Sequence, residues 1–159
     1  MRTKNTQKGF SLIELLIVVA IILIIAAIAI PNLLRSRMAA NEASAVGSLR
    51  TLNTGAVTYS TTYGTGYPVA LANLGPGAPA TAATADLIDS VLAAGTKSGY
   101  VIVYTGGTVD AAGNTNDYTI TATPVAPGTS GQRTFFTDQS GVIRADATGT
   151  ATVTSTPIS

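Results

Sequence analysis

Residues 10–30 read FSLIELLIVVAIILIIAAIAI, 21 positions with two polar side chains, Ser11 and Glu14. As a helix this run is about 32 Å long, and the hydrocarbon core of a bilayer is about 30 Å thick. A buried core helix is the competing use. A chain of 159 residues, however, makes one modest domain with too little other surface to cover such a run on all sides. The run is therefore read as a membrane-inserting segment. Arg2, Lys4 and Lys8 precede it and Arg35 and Arg37 follow it, so basic flanks alone leave its orientation open.

The same run is open to a second reading, a secretory signal peptide cleaved after Ala29 of Ala27-Ile28-Ala29. Two features oppose it: the apolar region is long for a signal peptide, and it carries a carboxylate at Glu14. An ionisable group in a membrane segment costs about 2.5–3.5 kcal/mol at the helix centre and marks a functional position by default. Glu14 lies near one end, where the cost is smaller, and it calls for a cationic partner able to reach the apolar layer.

Composition removes several function classes. The formal net charge of +1 hides an asymmetry, because three of the nine basic residues lie in the first nine positions; without those nine positions six basic and eight acidic side chains remain, a formal charge of −2. No basic surface is left for phosphate contacts, so nucleic-acid binding is not expected. The chain has no Cys, His or Trp. It therefore builds no disulfide framework, no thiolate metal site and no triad or dyad that uses histidine. Charged residues make up 11%, which is neither a disordered nor a nucleic-acid-binding composition.

Lys8-Gly9-Phe10-Ser11-Leu12-Ile13-Glu14, continued through Leu15 to Pro31, resembles the processing site of type IV pilins and of their relatives, the pseudopilins of type II secretion. The resemblance implies that a membrane peptidase cuts after Gly9 and methylates the new amine on Phe10. Residues 1–9 are then a leader, and 150 residues form the mature chain. It also implies that Glu14, fifth in the mature chain, neutralises the amine of a neighbouring subunit. That chemistry has its own logic: a carboxylate and an ammonium each cost desolvation energy in an apolar layer, and their pairing offsets it. Glycine at the cut lets a protease approach the backbone closely.

Pro31 follows the apolar run and lacks the N–H that the carbonyl of Ala27 needs, so a kink or loosened turn, a helix break, is expected there. Related fibres carry a proline at this place. Many also carry a glycine where this chain has Leu23, a departure from the pattern that bears on how far the helix melts in a fibre. Beyond Pro31 the pattern stays helical from Leu33 to about Tyr63. Leu34, Met38, Ala45, Leu49, Leu52, Ala56, Tyr59 and Tyr63 recur at steps of three, four or seven and form one apolar stripe. The stripe reads as packing; an aromatic pathway through the tyrosines is the sharper alternative. Gly64-Thr65-Gly66-Tyr67-Pro68 ends the helix.

The expected organisation is a leader at 1–9, a transmembrane or fibre-core helix at 10–31, an amphipathic helix at 32–63, a connecting loop region at 64–99, and a C-terminal antiparallel sheet and tail at 100–159. A short helix is expected over Asp86 to Ala94. Strands are read at Tyr100 to Tyr104, Tyr118 to Ala122, Arg133 to Thr137 and Val142 to Ala145, giving about four strands packed on the helix stripe. The fold class is thus α+β, a long helix on a small sheet, which resembles the pilin fold.

Asp110, Asn114, Asn116 and Asp117 are weak calcium candidates, since oxygen ligands suit Ca²⁺ and some pseudopilins bind calcium in a C-terminal loop. Their spacing does not fit an EF-hand, and Asp, Asn and Gly clusters usually serve turns. No metal and no cofactor is therefore expected. The Thr- and Ser-rich tail from Thr148 has a composition compatible with O-linked sugars. The functional expectation is a structural subunit of a type IV pilus-like filament and no enzyme. It is held in the inner membrane as a single-pass precursor in contact with lipid, handled by the prepilin peptidase and the assembly machinery, and polymerised with identical subunits on the cell surface. Such filaments serve adhesion, motility, DNA uptake or secretion. A major pseudopilin is the alternative, and a soluble exported domain, with Lys97 and Ser98 as a notional nucleophile pair, is the third reading.

Overall fold

The computed structural model of the chain describes residues 9–158. Arg2, Lys4, Lys8 and nearly all of the expected leader at 1–9 lie outside the described residues. The chain divides into two compact units, Met1–Ser36 and Arg37–Ser159.

Helix α1, Leu12–Tyr63, supplies the described helical part of the first unit and opens the second. Pro31 lies inside α1, and the helix continues through the proline. A proline removes one intrahelical hydrogen bond, here that of the Ala27 carbonyl, while Ala27, Ala29, Leu33 and Leu34 nearby have good helix propensity. The C-terminal end falls at Tyr63 as expected. Gly64, at φ 67°, takes the left-handed position after it and donates its N–H to the carbonyl of Ser60 at 3.0 Å, closing the last turn.

In the second unit the stripe on α1 is buried from Ala45 onward. Ala45, Leu49, Leu52, Ala56 and Tyr59 join Leu74, Ile88, Leu92 and the inner face of the sheet in one core. The sheet has six antiparallel strands in sequence order: β1 Thr96–Lys97, β2 Tyr100–Gly106, β3 Tyr118–Pro124, β4 Thr134–Asp138, β5 Arg144–Asp146 and β6 Thr156–Pro157. Period-two alternation puts Tyr100, Ile102 and Tyr104 of β2 and Tyr118, Ile120 and Ala122 of β3 on the core face. The register aligns them, with Ile102 opposite Ala122 and Tyr104 opposite Ile120.

The strand count exceeds the four expected because β1 and β6 are two-residue pairings without an apolar pattern. β1 is joined to β2 by Ser98 and Gly99, both at positive φ (50° and 74°), the backbone that a tight two-residue hairpin needs. The sheet therefore begins within the stretch expected to be a connector. The expected helix over Asp86 to Ala94 is also corrected, to α2, Ser90–Ala93. Asp89 caps it by accepting the Leu92 N–H at 2.8 Å. The N–H groups of Leu87 and Ile88 instead reach the carbonyl of Leu74, at the end of a 3-10 turn over Leu71–Leu74.

Polar contacts tie α1 to the sheet. Asn53 donates to Thr137 Oγ1 at 3.0 Å and accepts from the Tyr118 hydroxyl at 3.1 Å. Asn41 donates to the carbonyl of Ser130. Glu42 accepts from the backbone N–H groups of Gln132 and Arg133 and pairs with Arg133 Nε at 2.8 Å. Burial pushes the Glu42 carboxyl up, but those hydrogen bonds and the Arg133 charge outweigh it and hold the group below its ordinary value. Tyr104 Oη is buried without a hydrogen-bond partner among the described residues. Burial raises its pKa, with smaller contributions from Tyr118, Tyr67 and Tyr59.

Three substitutions test these contacts. A carboxylate whose folded-state pKa is depressed contributes stability above the unfolded value, here 4.5, and loses it as pH falls through the folded value. Glu42→Gln therefore lowers stability by about 1–2 kcal/mol near neutral pH, and the deficit narrows between pH 5 and 3 when thermal unfolding of the full chain in detergent is followed. Tyr104→Phe removes an orphaned hydroxyl and leaves the midpoint unchanged or higher. Tyr118→Phe strands Asn53 and costs about 1 kcal/mol.

Candidate functional site

The residues singled out for processing and assembly lie where α1 begins. Gly9 and Phe10 precede the helix, and Phe10 is 84% exposed. A Cβ added at Gly9 would meet nothing within 4 Å, so packing among the described residues does not demand a glycine there. Ser11 stands directly before α1 and Glu14 is its third residue, the S-x-x-E spacing of a capping box. The Ser11 N–H donates to Glu14 Oε2 at 2.9 Å, and the Ser11 carbonyl accepts the N–H of Leu15 at 3.3 Å. The capping role of Glu14 was missed in the sequence reading, although its spacing is legible. It leaves Oε1 without a hydrogen bond among the described residues.

Beyond Glu14, the apolar side chains of the first unit are uncovered. Leu12, Leu23 and Ile28 are exposed by 76%, 63% and 66%, and Leu33 by 68%. Leu23 is an ordinary helical position. α1 contains a window long and apolar enough to cross a membrane, and none of that window is buried. A surface of this kind lies far above the few hundred square ångströms of contiguous apolar patch that a soluble monomer tolerates. Apart from the Ala27 carbonyl, which Pro31 leaves without its donor, the backbone there is paired within the helix, which suits it to lipid or to a dry bundle of like helices.

The other candidates resolve into structural contacts. Asp110 Oδ1 accepts the N–H groups of Ala112 and Asn114, both at 2.9 Å, and Oδ2 accepts the Asn116 side-chain amide at 3.2 Å. The Asn114 N–H, then the Asn116 amide, hold its carboxyl below the usual range. Its partners are hydrogen-bond donors, whereas a cation needs converging oxygens. Asp117 shares the loop but not this arrangement, and no group of three metal-ligating His, Cys, Asp or Glu side chains occurs among the described residues. Lys97 Nζ pairs with Asp89 at 3.0 Å, while Ser98 Oγ accepts from Ser44, so the notional nucleophile pair is not bonded together. Tyr67 and Tyr104 both pack on Tyr118, at 4.8 and 5.4 Å between ring centres, and Tyr59 packs on Tyr63 at 4.8 Å; these contacts line the core.

An open groove of about 600 Å³ lies beside the C-terminal tail, lined in part by Arg133, Asp146, Thr152, Thr154 and Ile158. Arg133 is bound to Glu42, and Asp146 accepts the N–H groups of Thr148 and Gly149. No free acid and base converge there. The tail also seals part of the sheet: Thr134 Oγ1 donates to the Gly149 carbonyl and accepts the Ala151 N–H, on the side of β4 that carries Phe136.

Against this geometry, comparison with known proteins is decisive at one end of the chain. Residues 4–30 match the prokaryotic N-terminal methylation motif. Over 38 residues the chain is 63% identical to the type IV wide pilus major component PilA4 of Thermus thermophilus. The N-terminal segment thus carries that motif and is similar to the same part of a pilus component. The match covers 24% of this chain and spans 29% of the length of that relative. No solved structure matches the chain.

Proposed function

We propose that this chain is a structural subunit of a type IV pilus-like filament. It is inserted in the inner membrane by residues 10–31 as a single-pass precursor, cut after Gly9, and methylated on Phe10. It is then polymerised by the assembly machinery with identical subunits through the apolar half of α1. The observation that carries this reading is an uncovered apolar helix headed by Gly9-Phe10 and Glu14. The similarity to a pilus major component over the same segment supports a filament subunit of this kind, and the hydrogen-bonded state of Asp110 gives the calcium-binding alternative no support. The subunit performs no catalysis in this reading.

In the filament, Glu14 accepts the methylated amine of Phe10 from a neighbouring subunit. The capping contact from Ser11 does not neutralise it, because a backbone N–H brings no net charge. A full cation is needed before the carboxylate enters an apolar bundle. The Arg37–Ser159 unit remains outside that bundle, and the surface it presents sets what the filament does.

Intact mass and N-terminal sequencing of material sheared from the cell surface test the reading. A chain beginning at N-methylated Phe10 is expected; one beginning at Ile30 would return the exported domain to first place. Glu14→Ala leaves the neighbour's amine unpaired at a cost of about 3 kcal/mol per subunit, roughly two orders of magnitude in the elongation constant. Processed subunits should then accumulate in the membrane while surface filaments disappear.

A further inference from the structure

Two charged residues bracket the apolar part of α1. Glu14 is the last charge before it and Arg35 the first after it, with the 20 positions Leu15–Leu34 between them uncharged. At 1.5 Å per residue, Glu14 and Arg35 are about 32 Å apart along the helix, while a hydrocarbon core is about 30 Å thick. Both charges therefore fit at opposite interfaces of one bilayer at the same time, with little tilt. A helix shifted by one turn in either direction would draw one of them into the hydrocarbon.

Arg35 is exposed and forms no ion pair among the described residues. A guanidinium at this depth has a ready partner in the lipid phosphate: the contact is charge-assisted and can be bidentate, and the long stem lies along apolar surface while the head reaches the polar layer. We infer that, in the inserted precursor, Arg35 docks on phospholipid phosphate groups and thereby sets the depth of α1, holding Glu14 at the opposite interface. The partner of this position is the phosphate of the surrounding lipid. The inference rests on the membrane-inserted precursor proposed above but not on the later assembly. Glu14 then pays no burial cost while the subunit is stored, and meets the apolar layer only when the subunit is extracted.

The absence of tryptophan from the chain makes the depth measurable. Leu16→Trp and Leu33→Trp, made one at a time in the full chain, place a reporter near each end. They are read by quenching with lipids brominated at graded depths, in phosphatidylethanolamine and phosphatidylglycerol vesicles. Each reporter is expected close to its own interface. In the sequence the next charge after Arg35 is Arg37, two positions on, so Arg35→Gln should move the Leu33 reporter inward and the Leu16 reporter outward by about 3 Å. In vesicles of phosphate-free galactolipids the unaltered Arg35 chain should already sit near the depth of the variant. Equal depths with and without Arg35 would overturn the inference. So would a shift of full size in the galactolipid vesicles, which would mean aversion to hydrocarbon alone. Both reporters in one leaflet would overturn the spanning precursor as well. None of these outcomes touches the N-terminus found on sheared material, which decides the filament reading separately.

Discussion

The structure depends on an apolar helical surface that the chain does not cover. The residues of α1 from Leu12 to Leu34 are exposed nearly throughout, and their burial elsewhere would be worth on the order of 25 cal/mol per Å². No contact among the described residues collects that energy. Lipid or other copies could collect it, so in the function proposed above the same segment would serve both a stored state in a membrane and polymerisation. Helical pairing satisfies nearly all of its backbone groups internally, the Ala27 carbonyl opposite Pro31 excepted, which suits the segment to either environment.

The sheet of the other unit has blunted edges. A sheet has two edges, each a template for pairing with another sheet. Here β1 and β6 are two residues long, Lys97 stands on the first and Pro157 on the second. Those are the devices that blunt an edge. In the function proposed above, association would be left to the helix. The ties that bind the sheet are polar and specific: Asn53 bridges Tyr118 and Thr137, and Glu42 gathers the backbone and side chain of the segment leading into β4. A six-strand sheet on one helix has a modest core, and such contacts fix which sheet residues meet which helix turn.

Much of this was legible in the sequence because it is periodic. The stripe from Ala45 to Tyr59 repeats at helical spacing and is buried; the alternation of Tyr100, Ile102 and Tyr104 repeats at two and faces the core. What escaped was set by single contacts. β1 and β6 have no pattern to read and exist through pairing with a longer neighbour. The helix expected from Asp86 is cut to Ser90–Ala93 by one side chain, Asp89, which caps at a position where apolar neighbours suggested an interior. Glu42 reads as an ordinary surface charge until the fold brings Gln132 and Arg133 to it, 90 and 91 positions away. At the start of α1 the motif was legible, but the contact between Ser11 and Glu14 was overlooked in favour of the more demanding role.

Those two roles of Glu14 are compatible, and their order follows from charge. The capping contact uses one carboxylate oxygen and a neutral donor, so it stabilises the first turn of α1 while leaving a formal negative charge at the head of the helix. At a membrane interface water solvates that charge, and the cap is sufficient. In a bundle of apolar helices water is excluded, and only a cation removes the penalty. Removal of the residues before Phe10 would supply one, an amine one position before Ser11 and four before Glu14 in sequence. A subunit that has not been cut lacks that amine, so it can be stored in lipid but brings no partner for its neighbour's carboxylate. In the function proposed above, cleavage would do more than shorten the chain: it would create the charge without which burial of Glu14 is unfavourable, and would make polymerisation conditional on processing.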